Sequence, residues 1–279
     1  MFNSKIIIAV IILLFLIIIN FKMYKKESFE ENKKGLLVLY GESFRDGLQS
    51  DRTTGTEKGF IGQMKASDSH IKFMETIKNK YDYNMDVSIS TYCTKYNKEL
   101  KDKYKNFKII FNCENELIGW NNIAMKALNN YDLSGYDFIL LTRNDICFKD
   151  EFIHNFKINN EKVLFVSQQW TYHDCYKKDI PNINPTIISI PKKFFRITKD
   201  ISVDGNCWDF LIENYGLTNN DMGFLLNTYH DADSYKNYNP YYYMVGREQT
   251  TKWHDKDKIN PNFNTTGVIK CYNINNTYV

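Results

Sequence analysis

Arg143 and Asp145, an arginine and an aspartate separated by one residue, follow the apolar run of residues 138–142. The run predicts a buried strand, so both side chains would lie in the turn that follows it. Open α/β sheets bind ligands at the carboxyl ends of their strands. An arginine can hold a phosphate through two parallel hydrogen bonds, and a carboxylate can bind a divalent cation that also contacts the phosphate. The pair therefore indicates an enzyme that uses a nucleotide-activated substrate. The alternative is a salt bridge between the two side chains at the end of the strand.

The turn after the first predicted strand, residues 36–40, offers a second set of candidates. Gly41 directly follows the strand, and a glycine there lets a ligand approach the backbone closely. Arg45 would then reach a diphosphate. The connection over residues 46–62 is long, as functional loops often are, and its Arg52 is a candidate contact for phosphate or sugar oxygens. The alternative is an ordinary turn and a surface loop with solvated arginines.

Two aspartates in the second half of the chain are candidate catalytic residues. Asp209 follows Trp208 in a predicted helix, where the aspartate could deprotonate an acceptor hydroxyl while the indole stacks on a sugar ring. The alternative is a tryptophan packed in the core beside an aspartate that only interacts with the helix dipole. Asp233 forms an acid-x-acid pair with Asp231, a spacing that suits a metal ion or the sugar of a nucleotide sugar. Such pairs also occur in polar loops.

Charge and motifs exclude several classes of protein. The chain carries 36 basic and 33 acidic residues, and residues 1–34 hold six lysines and three glutamates, which leaves 30 of each sign after them. A neutral part without a basic stripe is not typical of a nucleic-acid-binding protein. The sequence contains no GxGxxG, GxxxxGK(S/T) or GxSxG, which disfavours Rossmann dehydrogenases, P-loop enzymes and α/β-hydrolases. Its six cysteines include no CxxC pair, so Cys113 and Cys147 are interpreted as core residues, and disulfides are possible but not required.

The elements that would position these residues alternate between strands and helices. Strands are predicted at residues 36–40, 85–91, 107–111, 138–142 and 163–166, and helices at residues 67–80, 95–104 and 117–128. Such alternation favours an α/β fold with a mostly parallel, Rossmann-like sheet and helices on both faces. The pattern is less regular after residue 168, with strands predicted at residues 187–190 and 241–245 and short helices at residues 191–195, 208–214 and 221–226.

The amino-terminal segment predicts a membrane anchor. Residues 6–21 are apolar except for Asn20, and lysines flank them. A helix of this length spans roughly 24 Å, which lysine snorkelling and a thin membrane reconcile with a hydrocarbon core of about 30 Å. We therefore predict a transmembrane helix within an anchor and short stalk at residues 1–34, followed by one domain at residues 35–279. A cleaved signal peptide is the alternative. The flanking lysines slightly favour a cytoplasmic domain, whereas N-glycosylation sequons at Asn264 and Asn275 would favour the lumen if they were used, so the side stays open.

Four segments together resemble glycosyltransferases of the GT-A type, in particular the small membrane-anchored enzymes of large DNA viruses and of polysaccharide gene clusters. They are residues 37–45, 136–145, 188–194 and 239–247, and the resemblance covers most of residues 35–250. The order and spacing of the segments, rather than any single motif, carry this likeness.

The resemblance implies a nucleotide sugar bound through Gly41, Glu42, Arg45 and Arg143, and Mn²⁺ or Mg²⁺ bound by Asp145. The metal motif of the family has two acids separated by one residue, and Arg143 replaces the first of them, so a guanidinium could do part of the work of the metal. The implied activity is transfer of a sugar from the nucleotide sugar to a hydroxyl of a glycan or glycoprotein. The alternatives are a non-catalytic, membrane-tethered binding or virion surface protein on the same fold, and a nucleotidyltransferase that consumes a nucleoside triphosphate.

Overall fold

The structure is a computed structural model that describes residues 13–17, 33–46, 53–168, 183–201, 203, 207–225 and 241–245. The chain divides into two compact units, Met1–Lys33 and Lys34–Val279. In the first unit, residues 13–17 are helical and exposed. Among the described residues, no helix is both long and apolar enough to cross a membrane. The rest of the predicted transmembrane helix lies outside the described residues, so the anchor stays a prediction.

The second unit contains strands and helices in alternation, as the sequence predicts. Its described strands are β1 (Lys34–Tyr40), β2 (Arg45–Asp46), β3 (Thr53–Thr54), β4 (Asn84–Tyr92), β5 (Ile109–Glu114), β6 (Phe138–Arg143), β7 (Ile146–Phe148), β8 (Val163–Gln168), β9 (Ile183–Pro191), β10 (Met222–Phe224) and β11 (Tyr242–Met244). Its described helices are α1 (Glu57–Tyr81), α2 (Asn97–Lys103), α3 (Trp120–Leu128), α4 (Asp150–Asn155) and α5 (Cys207–Tyr215), with 3-10 helices at Leu133–Gly135 and Lys192–Lys199.

Seven of these strands form one sheet, in the order β10-β8-β9-β6-β1-β4-β5. β1 pairs in parallel with both β4 and β6, β5 is parallel to β4, and β10 is parallel to β8. Within this sheet only β9 runs against its neighbours, β6 and β8. The predicted mostly parallel sheet is therefore confirmed, and the carboxyl ends of β1, β4, β5 and β6 meet at one edge.

Helices cover both faces of the sheet, as predicted. The side chains of Leu36, Val38 and Tyr40 in β1 pack into a core that includes α3 and α5. The intervening Leu37 and Leu39 pack into a second core that includes α1, β7 and α4. Successive residues of a strand point to opposite faces, so a strand that is buried on both faces reads as an unbroken apolar run. This is why β1 is recognisable in the sequence.

Helix α1 begins at Glu57, well before the predicted start at residue 67. Glycines are poor helix formers, so the sequence predicts a loop where the helix in fact starts. The side chain of Thr56 caps the helix by accepting a hydrogen bond from the backbone N–H of Gly59. A Cβ at Gly59 would lie 2.2 Å from the carbonyl oxygen of Phe44. The glycine therefore lets α1 pack directly on the turn after β1, and the loop predicted over residues 46–62 is wrong at residues 57–62, which are helical.

Two smaller predictions are also wrong. Residues 221–225, the described part of a helix predicted at residues 221–226, are not helical, because Met222–Phe224 form β10, which pairs with β8. Short apolar runs do not distinguish a strand from a helix by periodicity. Cys113 is not a plain core residue, since it forms a disulfide with Cys93 that joins the carboxyl ends of β4 and β5. Cys147 is a buried free cysteine, as predicted.

Candidate functional site

β1 and β6 bring the two predicted turns together at one edge of the sheet. The strands pair in parallel up to Tyr40 and Arg143, and the backbone N–H of Asn144 donates to the carbonyl of Tyr40 at 2.8 Å. The turn after β6 therefore lies directly beside Gly41 and the residues that follow it. This is the edge where an open α/β sheet binds its ligand.

Four of the predicted site residues form a cluster of ion pairs at this edge. Arg143 donates two hydrogen bonds to Asp145, from Nε to Oδ1 at 2.8 Å and from Nη2 to Oδ2 at 2.5 Å. Nη1 of Arg45 lies 3.4 Å from the same Oδ2, and its Nε lies 3.9 Å from Oε2 of Glu42. Two guanidinium groups that are far apart in the sequence thus converge on one carboxylate. Their contact with a ligand stays a prediction.

The members of this cluster differ in exposure. The side chains of Arg45 and Asp145 are 0% and 2% exposed, that of Glu42 is 9% exposed and that of Arg143 is 14% exposed. Buried charges require partners because their desolvation is costly, and here two carboxylates balance two arginines. Arg143 is the member best placed to meet a ligand, while Arg45 contacts Asp145 from the interior.

The electrostatics of the cluster keep Arg143 charged. Burial acts to lower the pKa of Arg143, but Asp145, Tyr40 and Glu42 outweigh it and raise that pKa above its ordinary value. Burial also raises the pKa of Tyr40, at the end of β1. Arg143 is thus a permanent cation beside a neutral phenol at physiological pH.

Two amides that the sequence did not single out fix the turn after β6. The buried side chain of Asn144 donates to the carbonyls of Gly41 at 3.1 Å and Ser90 at 3.4 Å, which ties the ends of β1, β4 and β6 together. Gln63 of α1 donates to the carbonyl of Asn144 at 2.9 Å and accepts from the backbone N–H of Phe44 at 3.2 Å. The position of Asn144 inside the predicted turn was a usable signal, whereas no pattern in the sequence marks Gln63.

A buried histidine of α1 supports the same turn. Nε2 of His70 lies 2.7 Å from the carbonyl oxygen of Ile146, and Nδ1 lies 2.8 Å from the hydroxyl of Tyr104. A carbonyl can only accept, so Nε2 carries the proton and Nδ1 accepts from the tyrosine. Burial lowers the pKa of His70 to about 4. The neutral ring therefore has a structural role at physiological pH.

The absence of a side chain at Gly41 leaves room for the indole of Trp120. The φ of Gly41 is +95°, and a Cβ would lie 2.7 Å from Cζ3 of Trp120. Its N–H donates to the carbonyl of Ser90 at 3.1 Å. Trp120 is the first residue of α3, and Cζ of Arg143 lies over its ring, 4.5 Å from the centroid. The glycine thus allows an indole to pack against the turn and onto Arg143, a role that the sequence did not reveal.

The described residues do not fit the predicted metal site. Both carboxylate oxygens of Asp145 accept from guanidinium groups. In the part of the chain that the structure describes, no group of three or more His, Cys, Asp or Glu side chains could hold a metal ion. Mn²⁺ and Mg²⁺ require several oxygen ligands, and two adjacent arginines repel a divalent cation. Metal binding by Asp145 stays a prediction that this geometry does not favour.

The remaining predicted residues lie in the second half of the domain or outside the described residues. Trp208 is 1% exposed and packs on Phe224 and Phe165, with ring centroids 5.4 and 5.6 Å away, so it belongs to the core and does not offer a sugar platform. Asp209 lies in the first turn of α5 and is half-buried, and its role as a base stays a prediction. Two predicted site residues lie outside the described residues: Arg52 and Asp233.

A cavity of about 530 Å³ lies elsewhere in the domain, beside α4 and the start of β8. Its lining is mostly apolar and includes Phe152, Phe156, Leu164 and Phe224. The described lining contains lysine and asparagine but no carboxylate, arginine or histidine. We therefore place the candidate site at the Arg143 cluster and not in this cavity.

Several solved structures are similar to this chain at low identity. S. aureus TarS is 13% identical over 76% of this chain and 36% of its own, with a TM-score of 0.43. A glycosyltransferase involved in the glycosylation of the major capsid of PBCV-1 is 9% identical over 65% of this chain and 68% of its own, with a TM-score of 0.32. A Bacillus anthracis protein described as a glucose-1-phosphate thymidylyltransferase is 14% identical over 69% of this chain and 85% of its own, with a TM-score of 0.36. These scores are too low to support a conclusion about function. No protein-family model and no curated protein matches the chain.

Proposed function

We propose that this protein is a glycosyltransferase that moves a sugar from a nucleotide sugar to a hydroxyl of a glycan or glycoprotein. The observation that carries the proposal is the convergence of Arg45 and Arg143 on Asp145 at the carboxyl ends of β1 and β6. This edge is where an open α/β sheet binds nucleotides. A guanidinium held there suits a diphosphate, because its planar donors match the phosphate oxygens.

Arg143 is the group that we expect to contact the diphosphate. Its Nε and Nη2 donate to Asp145, which leaves the N–H groups of Nη1 as its main donors for a phosphate oxygen. Two hydrogen bonds to Asp145 fix the plane of the guanidinium before a ligand arrives, so binding requires little further ordering. Negative charge develops on the diphosphate as its bond to the sugar breaks, and a preorganised cation stabilises that charge.

Asp145 and Arg45 would hold Arg143 in position. Arg45 holds Oδ2 of Asp145, and Asp145 orients Arg143. Removing one partner of a buried ion pair leaves an uncompensated charge and destabilises a protein by about 3–5 kcal/mol. Substitutions of Asp145 and Arg45 would therefore test folding as much as binding. Substitution of the partly exposed Arg143 tests binding with less effect on folding.

Hydrolysis of nucleotide sugars tests the proposal, because water can take the place of the acceptor hydroxyl. The wild-type chain should release a nucleoside diphosphate from at least one member of a panel of nucleotide sugars. Arg143→Ala should lower that rate by about 10²–10³-fold, the usual loss for one preorganised donor to a developing negative charge. Arg143→Lys should recover only part of it, since a lysine cannot make the paired hydrogen bonds to Asp145.

Arg196→Ala is the matched control, because Arg196 is an exposed arginine that donates to the carbonyl of Tyr215. It should leave the rate unchanged, and melting temperatures should show that every variant is folded. An unchanged rate in Arg143→Ala would show that the site is wrong. Turnover of nucleoside triphosphates without turnover of nucleotide sugars would favour the nucleotidyltransferase, and binding without turnover of either would favour the non-catalytic protein.

A further inference from the structure

Trp120 is an exposed aromatic side chain directly beside the candidate site. The residue is 37% exposed, and the other exposed large apolar residues described in the second unit are Ile61 and Leu117. Tryptophan buries more apolar surface than almost any other residue when it is packed into a core. A partly exposed indole next to a guanidinium, at the edge where such a sheet binds its ligand, is therefore a candidate contact for that ligand.

The helix that carries Trp120 is firmly held. Ser88 of β4 donates to the carbonyl of Ala127 at 2.6 Å, which ties the last turn of α3 to the sheet. The side chain of Asn121 accepts from the backbone N–H of Val203 at 2.9 Å, which ties down the first turn. A contact residue on such a helix end is positioned more accurately than one on a loop.

The ring of Trp120 is also fixed on one side. Cζ of Arg143 lies over the ring, 4.5 Å from the centroid, a cation–π contact that helps to hold both groups. The ring lies so close to Gly41 that a Cβ there would approach Cζ3 to 2.7 Å. More than a third of the surface of the residue nevertheless remains open to solvent. The indole is thus partly exposed and lies beside the one partly exposed guanidinium of the cluster.

We propose that Trp120 is a substrate-contacting residue on which the base of the nucleotide sugar stacks while Arg143 binds the diphosphate. The inference rests on the proposed function and adds a contact for the nucleoside part of the substrate. Bases stack well on aromatic side chains, and every base has a π-face, so this contact adds affinity without choosing the base. Loss of one stacked aromatic side chain weakens binding by roughly 5- to 150-fold.

Calorimetric titration of the full chain with UDP, GDP, ADP, CDP and inorganic pyrophosphate tests this role. Trp120→Ala should weaken the best-binding nucleoside diphosphate by about tenfold or more, and Trp120→Phe should weaken it less, because a smaller ring still stacks. Both variants should weaken pyrophosphate much less than the nucleoside diphosphate, because pyrophosphate has no base and Asp145 still holds Arg143. Leu117→Ala is the matched control, since Leu117 is 84% exposed and close to Trp120 in sequence, and it should leave both affinities unchanged.

The two proposals fail in different ways. Equal weakening of pyrophosphate and nucleoside diphosphate in Trp120→Ala would show that the indole only holds Arg143, and would overturn the stacking role. Unchanged affinity for every nucleoside diphosphate would overturn it as well, even if a nucleotide sugar bound less tightly, since the ring would then contact the sugar. A wild-type chain that binds no nucleoside diphosphate and no nucleotide sugar would instead overturn the proposed function itself.

Discussion

Arg143 combines two requirements that usually conflict in a single side chain. A cation needs partners when it is withdrawn from water, yet a binding group must keep donors for its ligand. Asp145 meets the first requirement by taking the Nε and Nη2 edge of the guanidinium. In the proposed function the Nη1 group serves the second, on the member of the cluster that is 14% exposed. Neutrality of the whole cluster explains how it can be stable without a ligand.

His70 makes the stability of the protein depend on pH. Burial lowers its pKa from 6.5 to about 4 in the folded protein. Between about pH 6.5 and pH 4, His70 is therefore protonated in the unfolded chain but neutral in the folded protein. Because the unfolded chain binds more protons, the free energy of unfolding falls as the pH falls through this window. The full effect is on the order of 3 kcal/mol. His70→Gln, which keeps an N–H for the carbonyl of Ile146, should flatten that decline in urea unfolding experiments.

His154→Gln is the control for this prediction, because His154 lies on the exposed side of α4. It should leave the pH dependence of the wild-type chain unchanged. The account of His70 would be contradicted if His70→Gln lost stability as steeply as the wild-type chain between neutral pH and about pH 4.

At the scale of the elements, the contact between α1 and the turn after β1 positions the site. Gly59 brings α1 against the carbonyl of Phe44, and the same helix carries Gln63 and His70, which hold the turn after β6. Gly59→Ala should destabilise the protein by about 1–3 kcal/mol, since a Cβ at 2.2 Å from a backbone oxygen forces the helix to move. Thermal unfolding measures the loss.

Gly62→Ala provides a comparison within the same helix. Its Cβ would meet only the side chain of Val245, at 3.2 Å, and alanine is the better helix former by about 1 kcal/mol. It should therefore destabilise the protein much less than Gly59→Ala. Equal melting temperatures for the two variants would show that the contact with Phe44 does not position α1.

At the scale of the whole molecule, the sheet could be predicted because its central strands are buried on both faces. Such strands read as continuous apolar runs in the sequence, as β1 and β6 do. The order and direction of β8, β9 and β10 could not be predicted, because short apolar runs carry no information about their neighbours. The start of α1 was missed because a packing contact, not helix propensity, requires Gly59.

The site was predictable to a similar degree. Strand ends and residue types identify Arg45, Arg143 and Asp145, whose positions in one cluster follow from the pairing of β1 with β6. The sequence could not show that both arginines would occupy the carboxylate of Asp145, because that depends on distances between side chains. The sequence also could not show that Trp120 lies against Gly41, because this contact depends on how α3 packs on the sheet. The predicted metal ligand thus emerges as the partner of two guanidinium groups.

In the proposed function, a guanidinium that is held by a carboxylate binds the diphosphate of a nucleotide sugar at the carboxyl edge of the sheet. Calorimetric titration of the best-binding nucleoside diphosphate, in EDTA and then with added Mn²⁺, tests it most directly. We expect binding in EDTA, and a loss of roughly 10- to 100-fold in Arg143→Ala but none in Arg196→Ala, as for a hydrogen bond to a charged group. Binding that requires Mn²⁺ and is indifferent to Arg143→Ala would contradict the account.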